Sequence, residues 1–183
     1  FNLCMLCTTA EQPMSNYLDK LSAVRNNIAS IADSFNIYHV NIFLPDDTFA
    51  SKEGLTFCSL SDLKKYKVQL SDFSKQGLTP NWIFRKDINF PYMVSKGEEP
   101  SGVLSCYRYA KINSQKTCLA VHITSEELSN YLNTFSEGNP SLSYIINSEG
   151  VVLSSTDKKQ IGGSLSNEKL HAITQNLRLS HFS

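Results

Sequence analysis

The histidines are the first residues of this 183-residue chain to consider for metal or acid–base chemistry. None stands in a His-x-x-x-His spacing or beside a Cys or Asp, so the usual sequence spacing of zinc ligands is missing. The four are His39, His122, His171 and His181. Gly162-Gly163 comes nearest to a phosphate loop but lacks the following Lys and Thr. We therefore expect a non-catalytic segment without metal or cofactor, while a triad dispersed along the sequence stays an open alternative.

The cysteines are the second candidates for chemistry. Their number, five, is odd, so at least one thiol stays free in any monomer and a disulfide framework is disfavoured. Cys4 and Cys7 form a C-x-x-C, which is either a redox or metal pair or two buried or frayed helix cysteines. We favour the second interpretation because no second pair and no preceding strand accompany the motif. Cys106 and Cys118 lie on adjacent predicted strands, where they either face one another or pack as small apolar core residues.

An aromatic-rich segment, residues 78–100, is the first candidate for a binding pocket. Three prolines predict that it is irregular, and it contains the only tryptophan, Trp82, together with Arg85 and Tyr92. Aromatic-rich loops over a sheet often line pockets. An indole offers a stacking face and one N–H donor to sugar rings, nucleobases or amines. Trp82 is therefore either a ligand platform or a core anchor.

Three residues on predicted strands complete the set of candidate binding side chains. Arg108 falls on the Cys106 and Ala110 side of its strand, so it must pair with a carboxylate, reach solvent or bind an anionic ligand group. Tyr107 lies on the opposite face, where we expect it to pack under a helix. Asn41 lies away from the main apolar face of its strand and either lines a pocket or meets solvent.

The composition is that of an ordinary globular chain rather than a disordered one. Hydrophobic residues make up 41% of the chain and charged residues 19%, and the formal net charge is zero. The lysine-rich stretches are short and form no basic patch, so nucleic-acid binding is not expected. No run of about 18 apolar residues is present, so we predict that no segment of this chain spans a membrane.

A long helix dominates the first half of the chain. Apolar residues recur at spacings of three and four from Met14 to Phe35, which indicates an amphipathic helix with a heptad-like seam. Its length would be about 33 Å at the α-helical rise. Residues 37–44 alternate as a strand, and a second strand is predicted near residues 55–58. Ser61 can then cap a helix with an apolar stripe that ends at Gly77.

The second half is predicted to consist of two hairpins, each followed by a helix. Its strands and helices are predicted over residues 103–112, 117–123, 124–137, 142–147, 151–153 and 167–177. The first two strands complete an antiparallel sheet. Thr124 and Glu127 have the capping-box spacing of a helix start. Gly150 can take the positive φ that the turn of the second hairpin needs.

Two groups of motifs carry a resemblance to a known family. One is the hairpin over residues 143–155, which reads I-I-N-x-x-G-x-V-L-S-S and leads into Ile161-Gly162 before a helix. The other is the strand L-S-C-Y-R-Y-A-K-I followed by C-L-A-V-H-I. The chain resembles a double Cache domain, the PAS-like extracytoplasmic sensor of bacterial histidine kinases and chemoreceptors, over residues 17–177. The order and spacing of the motifs carry more weight than any single one.

The resemblance implies an α/β (α+β) fold. It would comprise a long N-terminal helix, residues 1–35, a membrane-distal PAS-like module, residues 36–123, and a bridging helix with a smaller or incomplete membrane-proximal module, residues 124–183. Both modules would carry antiparallel sheets. The implied location is the extracytoplasmic face of the cell membrane, reached through flanking helices outside this chain. The full-length receptor would be a homodimer.

The implied function is ligand sensing without catalysis. A small molecule such as a sugar, an amino acid or an organic acid would bind in the distal module and alter a kinase or methyl-accepting output. The candidate ligand-binding residues are Trp82, Arg85, Tyr92, Arg108, Tyr107 and Asn41. Here Arg85 follows Trp82, which departs from the order typical of amino-acid-binding members. The alternatives are a protein-interaction ectodomain with a collapsed pocket and a redox or metal protein that uses Cys4 and Cys7.

Overall fold

The computed structural model describes residues 14–46, 56–64, 81–86, 100–112, 114–135 and 143–172. Within them the chain is mixed α/β, as the sequence predicts. The elements in chain order are α1 (Met14–Ser34), β1 (His39–Leu44), β2 (Phe57–Ser59), β3 (Asn81–Arg85), β4 (Val103–Ile112), β5 (Gln115–Thr124), α2 (Ser125–Phe135), β6 (Tyr144–Ile146) and β7 (Val152–Ser155). Segments of 3₁₀ helix cover Leu60–Lys64 and Lys158–Gln160.

Five of the strands form one sheet in the order β2-β1-β5-β4-β3. β1 runs antiparallel to β5, with Val40 opposite Val121, and parallel to β2, with Ile42 opposite Phe57. The sheet is therefore mixed, and the prediction of an antiparallel sheet was wrong in this respect. The connection between β1 and β2, residues 45–56, has the length of about a dozen residues that a parallel crossover needs.

β3 corrects a second prediction, because residues 78–100 were expected to be irregular. Residues 81–85 instead form a strand at the edge of the sheet, beside β4. Trp82, Ile83 and Phe84 are aromatic and β-branched residues that favour strands, and Pro80 precedes the strand rather than interrupting it. Of the helix predicted between Ser61 and Gly77, the described residues include only the 3₁₀ segment, and the rest lies outside them.

Helix α1 confirms the predicted amphipathic helix and covers one face of the sheet. Its side chains pack on a buried apolar cluster of β1 and β2, formed by Ile42, Leu44 and Phe57. The contacting residues of α1 recur at the helical spacing of three and four, and they are Leu21, Val24 and Ile28. The middle of the apolar stripe read from the sequence is thus the packing surface of the helix, whereas Ile31 and Phe35 at its C-terminal end are exposed.

The end of α1 is fixed by a residue in the left-handed region. Asn36 has a φ of 51°, and Asn tolerates this conformation better than most residues. The amide of Ile37 donates to the carbonyl of Ala32 at 2.7 Å, and the amide of Asn36 donates to that of Asp33 at 3.4 Å. This is the Schellman pattern of a helix C-terminus, and it directs the chain straight into β1.

The β4–β5 hairpin is tighter than predicted. β5 begins at Gln115 rather than at residue 117, and Ser114 takes a positive φ of 64° in the turn. After β5, the hydroxyl of Thr124 accepts a hydrogen bond from the amide of Glu127 at 3.1 Å. The predicted cap is therefore confirmed, and α2 follows it. The predicted continuation of this helix beyond residue 135 lies outside the described residues.

The hairpin β6–β7 turns at Gly150, whose φ of 80° confirms the predicted positive value. A Cβ at this position would also clash with the side chain of Leu170. The chain then returns along β7, since the amide of Val152 donates to the carbonyl of Gly163 and the amide of Gly162 donates to the carbonyl of Val152. Residues 167–172 are helical, and the rest of the predicted last helix lies outside the described residues.

Three serines attach α2 to β7, and we name them the serine cluster: Ser125, Ser129 and Ser154. The Ser125 hydroxyl donates to the carbonyl of Leu153 at 2.7 Å, and the Ser154 hydroxyl donates to the carbonyl of Ser125 at 2.8 Å. The Ser129 hydroxyl lies 2.9 Å from the carbonyls of Ser125 and Ser155. The Ser129 and Ser154 hydroxyls also lie 2.7 Å from each other. Most of these hydrogen bonds end on backbone oxygens, and together they position the helix on the strand.

The chain divides into two compact units. The sheet unit contains residues 1–83, 89–99 and 105–123, and the hairpin unit contains residues 84–88, 100–104 and 124–183. Among the residues that the structure describes, no helix is long and apolar enough to cross a membrane.

Candidate functional site

Strand alternation gives the two faces of the sheet different side chains. Ile42 packs with α1, so Asn41 beside it on β1 lies on the opposite face. In the β1–β5 register His39 pairs with His122, and His39 shares its face with Asn41. Residues directly opposite each other on paired strands lie on the same side of the sheet. His122 and Asn41 are therefore neighbours on the face away from α1.

Four side chains on that face form a continuous hydrogen-bonded series, which we name the buried polar row: Ser105, His122, Asn41 and Cys58. Ser105 Oγ lies 2.8 Å from His122 Nδ1, and His122 Nε2 lies 2.9 Å from Asn41 Oδ1. Asn41 Nδ2 donates to Cys58 Sγ at 3.6 Å. The row crosses the four neighbouring strands β4, β5, β1 and β2, and each member is at most 2% exposed.

The partners fix where the protons of the row lie. The amide oxygen of Asn41 can only accept, so His122 Nε2 must carry a hydrogen and donate it. In a neutral imidazole Nδ1 then accepts, and the Ser105 hydroxyl donates to it. In this orientation of the Asn41 amide, Nδ2 points to the sulfur of Cys58. We assign the Nε2–H tautomer to His122 on this basis.

Two aromatic rings flank the imidazole. Tyr107 meets His122 edge-on, with 6.0 Å between ring centroids and 82° between ring planes. His39 stacks on it at 6.3 Å and 26°. Tyr107 is completely buried, whereas His39 is half-buried. The imidazole is thus held in place by two hydrogen bonds and by rings on two sides, and it has one well-defined orientation.

Ser105, His122 and Asn41 have the residue types of a nucleophile, a base and an orienting group. In an acyl-transfer triad the serine oxygen must reach a substrate. Here the Ser105 hydroxyl is committed to Nδ1, and both residues are 0% exposed. The arrangement observed is suited to fixing side-chain positions inside the unit rather than to attacking a substrate.

The thiols of Cys106 and Cys118 are poor nucleophiles. Burial raises the pKa of Cys118 to about 12, outweighing a backbone hydrogen bond from Arg108 that lowers it. Burial also raises the pKa of Cys106, against the lowering effect of the Arg108 charge. Both thiols therefore stay protonated at neutral pH. Cys4 and Cys7 lie outside the described residues, and within those residues no three His, Cys, Asp or Glu side chains could hold a metal ion.

A comparison with protein-family models gives no match to this chain, and a comparison with curated proteins gives no significant match. The resemblance to double Cache sensors therefore stays a prediction. The function has to be inferred from the geometry of the site.

Of the six predicted ligand-binding residues, the structure brings two together. Asn41 belongs to the buried polar row, and Tyr107 packs against its histidine. Trp82, on the edge strand β3, is 53% exposed, and Arg108 is exposed, which agrees with the solvent alternative among the three considered for it. Arg85, also on β3, is half-buried. The remaining candidate, at position 92, lies outside the described residues.

Sequence reasoning missed His122 and Ser105. The sequence analysis tested the histidines only for the spacing of metal ligands. A histidine that is hydrogen-bonded to a serine and an asparagine has no such spacing. The available signal was alternation on β5, where Cys118, Ala120 and His122 share one face. A polar residue continuing a face of small apolar residues needs a buried partner. Ser105 is that partner, and it lies on the same face of β4 as Tyr107, two residues further along.

Proposed function

We propose that this chain is the ligand-sensing domain of a bacterial transmembrane signal-transduction receptor of the sensor histidine kinase type. It acts at the extracytoplasmic face of the cell membrane, in a receptor that is a homodimer. The sheet unit binds a small polar molecule, such as a sugar, an amino acid or an organic acid, and does no chemistry itself. A chemoreceptor output is the alternative within the same class.

The observation that carries this proposal is the buried polar row. Ser105 and His122 come from L-S-C-Y-R-Y-A-K-I and C-L-A-V-H-I, the two motifs that resemble the distal sensor module. The row holds His122 and Asn41 in single orientations, and Tyr107 is fixed against the imidazole. Binding sites for small polar molecules need a few polar and aromatic groups whose positions are set by second-layer contacts.

The succession of elements also supports the proposal. A long amphipathic helix precedes a sheet that it covers, and a capped helix and a smaller hairpin unit follow. This is the order that the resemblance implies. In such a receptor a ligand acts by binding one conformation of the domain more tightly than the other. A hundredfold difference in affinity would bias the two states by about 2.7 kcal/mol.

A second candidate function, protein–protein interaction, is favoured by the surface of α1. Two large apolar side chains of this helix, Leu18 at 50% and Ile31 at 42%, are exposed, and Phe35, just after its end, is exposed at 66%. Exposed apolar side chains at neighbouring positions, such as Ile31 and Phe35, often mark an interaction surface. This candidate predicts stabilisation by a protein partner and no stabilisation by small polar molecules.

The test is a thermal-shift screen of the purified chain against sugars, amino acids, organic acids and nucleobases. A ligand at 100 times its dissociation constant stabilises the folded state by about 2.7 kcal/mol, which is a readily measured shift. A hit is then titrated against Ser105→Ala and Tyr107→Phe, which alter the row and its aromatic neighbour. We expect these variants to weaken binding by about tenfold or more.

Two further variants distinguish the row from other parts of the chain. Ser154→Ala removes another fully buried hydroxyl, in the serine cluster of the hairpin unit, and should leave ligand affinity unchanged. Trp82→Ala tests the aromatic edge strand that the sequence first suggested. Unchanged affinity in both row variants, or no hit in any ligand class, contradicts the proposal.

A further inference from the structure

The α1 face of the sheet contains a cavity of about 290 Å³. It lies within the sheet unit, between α1, β1, β4 and β5. Ile28 and Ile42 belong both to the cavity wall and to the α1 packing cluster. The cavity therefore lies next to the packed helix–sheet interface, on the side of β1 that faces β5.

The wall of the cavity is apolar. The residues that line it are isoleucines, valines, a leucine, an alanine, a threonine and a cysteine, and none of the described residues that line it is charged. The Thr117 hydroxyl is committed to the carbonyl of Ala110 at 3.1 Å. A polar ligand would lose its hydration here without gaining matching hydrogen bonds. The chemistry of the wall therefore selects an apolar occupant.

The size of the cavity limits that occupant to a small molecule. An apolar cavity of about 150 Å³ in another protein stays dry and binds benzene. A space of 290 Å³ accepts one or two fused rings or a short acyl chain, whereas a helix of a partner protein has a diameter of about 10 Å and does not fit. A dry apolar space of this volume would otherwise reduce stability.

The cavity communicates with solvent. Two of its large apolar wall residues are exposed, Ile31 of α1 at 42% and Leu119 of β5 at 41%. Large apolar side chains at an opening bring an apolar solute out of water before it enters. A ligand can therefore reach the cavity without unfolding of the helix–sheet interface.

We infer that this cavity is a binding site for a small, uncharged apolar molecule of the size of indole. It lies on the face of the sheet opposite the buried polar row, and it is independent of the small polar ligand in the proposed function. Val40 and Val121, paired across β1 and β5, form its floor, and α1 forms one of its sides.

Fluorine NMR of fluoroindole in the presence of the purified chain tests the inference. We expect saturable binding that unlabelled indole displaces and that free tryptophan, with the same ring and two charges, does not. Leu119→Trp fills the opening and should weaken binding by about tenfold or more. Val121→Phe fills the floor and should weaken fluoroindole binding by a similar factor. This second variant tests the site independently of Leu119→Trp.

Two matched variants complete the test. Leu18→Trp makes the same change at another exposed leucine of the sheet unit that does not line the cavity, and it should leave binding unchanged. Ser105→Ala should also leave fluoroindole binding unchanged, which separates this site from the row. Absence of saturable binding, displacement by free tryptophan, or equal weakening by Leu18→Trp and Leu119→Trp would overturn the inference.

Discussion

The two units both bury serine hydroxyls completely, but they use them for different purposes. In the sheet unit Ser105 bonds to an imidazole, which bonds to an amide, which bonds to a thiol. In the serine cluster of the hairpin unit the hydroxyls bond mainly to backbone carbonyls. Side-chain-to-side-chain bonds are the minority class in proteins because they require specific residues on both ends.

This difference predicts different tolerance to mutation. The carbonyl of Ser125 has two hydroxyl neighbours, those of Ser129 at 2.9 Å and Ser154 at 2.8 Å, which also lie 2.7 Å from each other. When one hydroxyl is removed, the other can still donate to this carbonyl. Each bond of the buried polar row joins one specific pair of atoms. We therefore expect single substitutions to reduce stability more in the buried polar row than in the serine cluster.

The largest effect should come from His122→Phe. This change keeps a ring of similar shape but removes the partner of both Ser105 Oγ and Asn41 Oδ1. Each buried polar group that loses a hydrogen bond costs about 1–3 kcal/mol, so for the two groups we expect the free energy of unfolding to fall by about 2–6 kcal/mol. Urea unfolding with an unchanged m-value measures it. His39→Phe alters the ring stacked on His122, and an equal cost for both variants would contradict the special role of the row.

A double-mutant cycle of His122→Phe and Ser105→Ala should show the next largest effect. Once the imidazole is gone, removing the Ser105 hydroxyl takes away a buried group that has lost its partner. The double variant should therefore be more stable than the sum of the two single effects predicts, by about 1 kcal/mol or more. Strict additivity in urea unfolding would mean that the Ser105–His122 bond contributes little.

The same cycle in the serine cluster should have the opposite sign. Ser129→Ala or Ser154→Ala alone should cost about 1 kcal/mol, because the other hydroxyl still donates to the carbonyl of Ser125. The double variant should cost more than the sum, by about 0.5 kcal/mol. A coupling of the same sign in both cycles would show that the direct bond between the Ser129 and Ser154 hydroxyls, 2.7 Å apart, outweighs their ability to replace one another.

Local signals in the sequence predicted much of the fold. The apolar spacing of α1, the cap at Thr124 and the positive φ of Gly150 depend on residues close together in the chain, and the structure confirms all three. Strand direction and strand order depend on distant pairings. The parallel β1–β2 pair was therefore missed, and β3 was hidden by the neighbouring prolines.

The candidate site was less predictable than the fold. Alternation along one strand shows which residues share a face, and it placed Tyr107 opposite Arg108. It does not show which residue of another strand comes alongside. The buried polar row depends on register across four strands, so Asn41 was a candidate while its partner His122 was not. Such a row becomes visible only when the strands are aligned.

The smallest effect concerns a charge in the hairpin unit. Glu126 accepts a hydrogen bond from the amide of Ser101 at 3.0 Å. Burial raises the pKa of Glu126, but hydrogen bonds from Ser101 and the charge of Lys158 outweigh it, so the pKa lies below its ordinary value of 4.5. A lowered pKa in the folded state contributes stability above the unfolded value and loses it as the pH falls through the folded value.

Glu126→Gln should therefore destabilise the chain by less than about 1 kcal/mol at pH 7, because the side chain is only half-buried. The difference in free energy of unfolding between Glu126→Gln and the unmodified chain should vanish in acid, below the pKa of Glu126 in the folded state. Glu127→Gln removes the same charge from the same first turn of α2 and controls for the helix dipole. Urea unfolding of both variants as the pH is lowered measures the effect. If the stability of the two variants depends on pH in the same way, Ser101 and Lys158 do not stabilise the Glu126 carboxylate. The charge at position 126 would then act only through the dipole of α2.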